Sequence, residues 1–154
     1  MATQWTAGTV PGQILTAATL NTIGAVWETY IPTWTASVTN PSVGAGFIEG
    51  RYCRLQTLVI ATGYIIPGVG WSAGSGNYRV ALPVTARSMN SSIGYATLLD
   101  ASAGYIGYFG IATQQSTTNA EFRIGNGANV WSPTVPIPLA QSDQMRFTLI
   151  YEAA

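Results

Sequence analysis

The sequence predicts a mainly β fold: a jelly-roll-like β-sandwich of about eight strands behind an extended N-terminal arm and one short α-helix. Three observations carry this expectation. The run from Gly46 to Tyr64 is rich in β-branched and aromatic residues and is bounded by glycines. Further short apolar runs recur between Gly, Pro and Asn turn signals at the spacing of a sandwich. Only one stretch, near the N-terminus, carries apolar residues at helical spacing.

Residues 1–15 are rich in Thr, Gly and Pro, with Pro11-Gly12 as a turn signal and Trp5 as the one large aromatic group. They read as an extended arm. Thr16 is placed to N-cap a helix over about residues 16–29, where Leu20, Ile23, Trp27 and Tyr30 form a stripe. Pro32 prevents the helix from continuing. A helix this short is marginal alone, so its stripe must pack on the chain's own β domain, on a symmetry mate or on another protein. The composition changes at the same proline. Residues 1–31 therefore read as an attachment segment, and residues 32–154 as a β knob domain.

From Pro32 onward every segment reads as strand or turn. Thr33 to Thr39 is a short strand ended by Asn40-Pro41. The run Gly46 to Tyr64 reads as one long ribbon bent near Gln56 and Thr57, with Cys53 and Leu55 sharing one face and Val59 and Ala61 sharing another. Pro67 to Gly76 is a loop holding Trp71, and Asn77 to Leu82 is a strand stopped by Pro83. Ser92 to Leu99 and Tyr105 to Ala112 pair across Asp100 to Gly104. Ala120 to Trp131 is a hairpin turning at Asn126-Gly127, with Phe122 and Ile124 facing in and Glu121 and Arg123 facing out. Pro133, Pro136 and Pro138 keep the next stretch extended but unpaired. Gln144 to Tyr151 closes the domain with Phe147, Leu149 and Tyr151 on one face.

Charge narrows the function. Only 8% of the 154 residues are charged, against about 25% in an average soluble protein. Yet 47% are hydrophobic. Such a surface does little to keep copies apart, so the chain reads as a subunit covered by neighbours. The basic residues are Arg51, Arg54, Arg79, Arg87, Arg123 and Arg146, scattered and balanced by six carboxylates. A nucleic-acid binder would carry a basic patch. No apolar run nears the roughly 18 residues of a membrane helix, and no basic segment leads into an apolar core as in a signal peptide.

The chemistry of sites is equally sparse. With no histidine, Ser-His-Asp and Cys-His catalysis and every His metal site are excluded. Cys53 has no partner for a disulfide and no His or Lys to activate it, so it reads as a small buried hydrophobe. No cofactor motif is present: the glycines at 68, 70, 74 and 76 lack the Gly-Lys-Ser/Thr of a phosphate loop. Asp100, Glu121 and Asp143 are the carboxylates open to a glycosidase role, but each lies beside a turn or on a polar strand face and reads as solvated. No catalytic residue is assigned.

Short motifs in a fixed order then point to a family. Trp5-Thr6-Ala7-Gly8, the run Leu15 to Asn21, Pro32-Thr33-Trp34-Thr35, Gly44 to Gly46 and Gly50-Arg51-Tyr52 come first. Leu82-Pro83, the run Gly94 to Asp100 and Tyr151-Glu152-Ala153 follow. Together they resemble small virion proteins of tailed bacteriophages, and the resemblance covers nearly the whole chain. It departs at Gln56, where a glycine is usual, and at Ser142, where a glycine commonly precedes the aspartate.

The resemblance implies a structural protein forming homotrimeric knobs on the capsid exterior, a decoration protein. Its partners would be copies of itself and the major capsid protein or another virion protein. Attachment would run through Trp5, Leu20, Ile23, Trp27 and Tyr30. The alternative it implies is a minor tail or fibre protein binding host-surface glycan, with Tyr64 and Trp71 as sugar contacts. Those two rings have a competing role in filling the core or a subunit interface, where Tyr and Trp are enriched. A polysaccharide-cleaving enzyme is the third class, resting on the carboxylates alone.

Overall fold

The run that reads as one bent ribbon is a hairpin of two nine-residue strands. A computed structural model describes residues 26–125 and 129–154. In it β1 is Glu28–Tyr30, β2 Trp34–Ala36, β3 Phe47–Leu55 and β4 Leu58–Ile66. β5 is Tyr78–Ala81, β6 Ser92–Asp100, β7 Ile106–Gln114, β8 Asn119–Ile124 and β9 Gln144–Glu152. β3 and β4 pair antiparallel from Phe47 with Ile66 to Leu55 with Leu58, so Gln56 and Thr57 are a two-residue turn rather than a bend. The alternation explains why: Val59, Ala61, Gly63 and Ile65 of β4 are buried, while Ile60, Thr62 and Tyr64 between them are not.

All nine strands join one antiparallel sheet in the order β1-β3-β4-β9-β6-β7-β8-β5-β2. The two edge strands, β1 and β2, are consecutive in the chain. Only Ile31, Pro32 and Thr33 connect them. From Tyr30 to Trp34 the backbone can reach at most about 14 Å. The sheet must therefore curl until its ends nearly meet, and its concave face encloses the core. Trp34, Tyr78, Val80, Ala112, Phe122, Met145, Phe147 and Leu149 meet there in one cluster. Phe122 stacks on Phe147 and tilts against Trp131, and Trp34 meets Tyr78 edge-on.

The seam between the edges is packed rather than open. Pro32 is fully buried, and Ala81 N–H donates to Thr33 C=O at 3.0 Å. Tyr30 lies edge-on to Tyr52, and its ring covers Gly50. A Cβ on Gly50 would fall 2.5 Å from the Tyr30 ring and 3.0 Å from Pro32. Opposite it in the β3–β4 register, a Cβ on Gly63 would fall 2.5 Å from the Phe147 ring. These two glycines give the rings their space on the inner face.

Two expectations change here. The end of the predicted helix, Glu28 and Thr29, is strand, because Glu28 to Tyr30 pairs with Tyr52 to Gly50 of β3. Tyr52 Oη also donates to Glu28 Oε2 at 2.8 Å. The attachment segment drawn as 1–31 thus lends its last strand to the sheet. The arm, the helix up to residue 25 and the Asn126-Gly127 turn lie outside the described residues. Asn129 to Trp131 returns along β8 as expected: Ile124 N–H donates to Asn129 C=O, and Trp131 N–H to Phe122 C=O.

The two positions where a glycine is usual are built as glycine positions. Gln56 has φ 55° and Ser142 φ 72°. At Gln56 the positive φ falls on the first turn residue, the sign pattern of a type II′ hairpin turn, which favours Gly there. A non-Gly residue in this region costs about 1–2 kcal/mol, and Gly returns roughly half of that through its larger unfolded-state freedom. Gln56→Gly and Ser142→Gly are therefore each expected to stabilise the fold by about 0.5–1 kcal/mol. Urea unfolding of the two variants checks this; a lowered midpoint for both would refute it.

Candidate functional site

The carboxylates come first, because they bear on catalysis. Asp143 is not solvated: it is 1% exposed, at the turn that leads into β9. Its Oδ2 accepts Ala140 N–H at 2.8 Å, and its Oδ1 accepts Ala101 N–H at 3.0 Å. One side chain thus ties the turn before β9 to the turn after β6. Glu121 is also buried, at 6% exposure, although it points to the outer face of β8. Arg123 Nη2 donates to its Oε1 at 3.0 Å, and Arg79 Nε lies 3.8 Å from its Oε2. Both acids correct the expectation of solvated groups, and both hold structure. Acids are rarely buried unless they are paired in this way.

The loop before β6 lies beside Glu121. The Gln114 amide pins that loop, donating to Arg87 C=O and accepting Met89 N–H. A polar cleft of about 430 Å³ remains above it, lined by Asn90, Ser91, Ser92, Thr113, Gln114 and Arg123 among others. Asp100 is the most open acid of the three, at intermediate burial. Its Oδ1 accepts the Ser102 hydroxyl and the N–H groups of Ser102 and Ala103. Those bonds, led by the Ser102 hydroxyl, hold its carboxyl below the usual range. It closes the β6–β7 turn.

The outer face of β3, β4, β9, β6 and β7 carries exposed residues on all five strands. Register places Glu49, Tyr64, Arg146, Thr97 and Phe109 in one cross-strand row, and Arg51, Thr62, Thr148, Tyr95 and Ile111 in the next. A shallow depression of about 600 Å³ opens over Phe47, Glu49, Arg51, Tyr64, Gln144 and Arg146. Tyr64 Oη donates to Glu49 Oε2 at 2.8 Å, and this bond, first among the causes, raises the phenol above its ordinary value.

The residues singled out from sequence are dispersed. Tyr64 lies in the outer depression, while Trp71 packs on the core from the loop after β4. The two rings do not form a joint site. Trp27 is exposed beside β1, and Tyr30 packs inward on the seam. Trp5, Leu20 and Ile23 lie outside the described residues. Cys53 is buried on the outer side of β3, opposite Ile60 and apart from the core cluster. Sequence reasoning did not single out Tyr95 and Phe109, which stack at 6.0 Å between ring centroids on the outer face. Their parity with Thr97 and Ile111 was the available signal. Among the described residues, no three His, Cys, Asp or Glu side chains gather as a metal site.

No protein-family model, no curated protein and no solved structure matches this chain.

Asp143→Ala removes the acceptor of two N–H groups and leaves them in a buried turn. The expected loss is about 3 kcal/mol or more, since hydrogen bonds to a charged group are each worth about 1.5–3. Asp143→Asn keeps one carbonyl oxygen and should lose less. Urea unfolding with far-UV circular dichroism measures both; a neutral Asp143→Ala would refute the bracing role.

The buried phenols set the alkaline limit. Burial pushes Tyr151 up to about 12, against the opposing pull of the Val84 N–H donated to its oxygen. Burial also raises Tyr30 and Tyr78 well above 10.0. The folded chain keeps these protons where the unfolded chain loses them, so the unfolded state binds fewer protons above pH 10.0. Stability from these groups is complete below pH 10.0 and falls as pH rises toward 12. The melting temperature should drop across that window, and Tyr151→Phe should drop less steeply. An unchanged slope in that variant would count against the assignment.

Proposed function

We propose that this chain is a structural virion protein of a tailed bacteriophage, a decoration protein that forms homotrimeric knobs on the capsid exterior. The curled sheet would be a jelly-roll-like sandwich, and the segment before β1 would join the knob to the particle through Trp5, Leu20, Ile23 and Trp27. Tyr30 belongs to the sheet and would support that segment rather than reach the capsid. The family assignment rests on the order of short sequence motifs. The observation that carries self-assembly is the outer sheet face, which presents Phe47, Tyr95, Phe109 and Ile150 to solvent, each half-exposed or more. Exposed apolar residues gathered on one face mark an interaction surface. Glu121 and Asp143, spent on ion pairs and turn bonds, weigh against the enzyme reading.

A second reading, a tail or fibre protein binding host-surface glycan, is favoured by the depression around Tyr64. There Phe47 and Tyr64 stand beside Glu49, Arg51, Gln144 and Arg146, an aromatic and polar mixture suited to a sugar. Trp71 takes no part in it.

Copy number decides between the two. Densitometry of a stained gel of purified particles should give hundreds of copies per virion; a handful would move the protein to the tail. A truncated chain beginning at Val26 keeps β1. It is expected to stay folded and trimeric by light scattering, yet to fail to bind particles that lack the protein. Retained binding would refute attachment through the N-terminal segment.

A further inference from the structure

The strand register turns the scattered exposed residues of the outer face into a line. Phe109 of β7 lies opposite Thr97, which pairs with Arg146. Tyr95 of β6 pairs with Thr148, one cross-strand row further along the sheet. Ile150 of β9 is on the next row, opposite Ile60. Leu58 of β4 pairs with Glu152 on the row after that, and Leu55 of β3 pairs with Leu58. Each step thus moves one strand across the sheet, and each of the first three also moves one row along it. The result is a diagonal stripe, Phe109-Tyr95-Ile150-Leu58-Leu55, crossing five adjacent strands. Its members are between 40% and 66% exposed. With strands about 4.8 Å apart and rows about 6.8 Å apart, the stripe is about 28 Å long.

We infer that this stripe is the contact by which one copy of the chain binds a second copy. The inference rests on the self-assembly reading above and names its surface. Three features select another copy as the occupant. The five strands beneath the stripe, nine residues each, present a face of about 700 Å² in outline. That is close to the roughly 800 Å² each partner contributes to a standard interface. The formal net charge is zero, so copies do not repel one another. Both signs flank the stripe: Glu49, Arg51 and Arg146 on the depression side, and Glu152 beside Leu58. A second copy therefore brings opposite charges to this contact. Tyr95 and Phe109, already stacked on each other, enter the contact with little rotamer freedom left to lose.

The test uses the full chain. Sedimentation velocity from 1 to 100 µM would compare wild type with Tyr95→Glu, Ile150→Glu and the double variant, with circular dichroism reporting the fold. Val38→Glu and Val69→Glu alter exposed apolar residues off the stripe and serve as controls. Each stripe variant is expected to need at least ten times more protein to assemble, and the controls to assemble as wild type does. A folded double variant that assembles at wild-type concentrations overturns the inference and leaves the self-assembly reading standing. A wild type that stays monomeric at 100 µM overturns that reading as well. If the double variant does not fold, Phe109→Ser is measured in its place against the same criterion. If the stripe variants keep their stoichiometry while residues 1–25 become newly open to protease, the stripe holds the chain's own N-terminal segment, and the inference fails.

Discussion

Three residues, Ile31 to Thr33, join strands that stand at opposite ends of a nine-stranded sheet, and the rest of the architecture follows from that tether. It forces the sheet to curl, and the curl separates a concave face that holds the core from a convex face that meets the surroundings. Pro32 and Tyr30 fill the seam because Gly50 leaves them room. A side chain at Gly50 would push the edges apart, and with them the packing of Tyr30 on Tyr52. The outer face matters for the same reason. Once the inner face is consumed by the core, the convex surface of the five long strands is the sheet face left open among the described residues.

Much of this was legible in the sequence because strand parity is legible. Val59 and Ala61 are buried together, and Phe147, Leu149 and Tyr151 line the core from β9 as their alternation requires. The stripe of Leu20, Ile23, Trp27 and Tyr30 misled at its end, since a spacing of three residues puts Trp27 and Tyr30 on one side of a helix but on opposite sides of a strand. The pairing of Glu28 with Tyr52, twenty-four residues away, made the choice. Long-range partners of that kind leave no local signature.

The acids were misjudged for the same reason. Asp143 reads as a turn residue, and it is one, but its second partner is Ala101, forty-two positions earlier. Glu121 reads as an outward strand residue, and it is one, but it is buried beside the loop pinned by Gln114 and two arginines neutralise it. Local pattern fixed the direction in which each carboxylate points and said nothing of what lies over it. The departures from the glycine pattern were more informative: Gln56 and Ser142 keep the left-handed backbone that a glycine would supply, so the turn geometry persists without the residue that favours it.

The place of β9 has a consequence for synthesis on the ribosome. It is the last strand in the chain, yet it lies between β4 and β6 in the middle of the sheet. Until it emerges, the nascent chain holds two separate blades, β1-β3-β4 and β6-β7-β8-β5-β2, each with an open inner edge where β9 will insert. Neither blade can close its core, and the tether between β1 and β2 only keeps them near each other. Open edges of this kind invite pairing with other chains. A premature stop before Gln144 would therefore do more than shorten the protein: it would release two unzipped blades with no strand to join them.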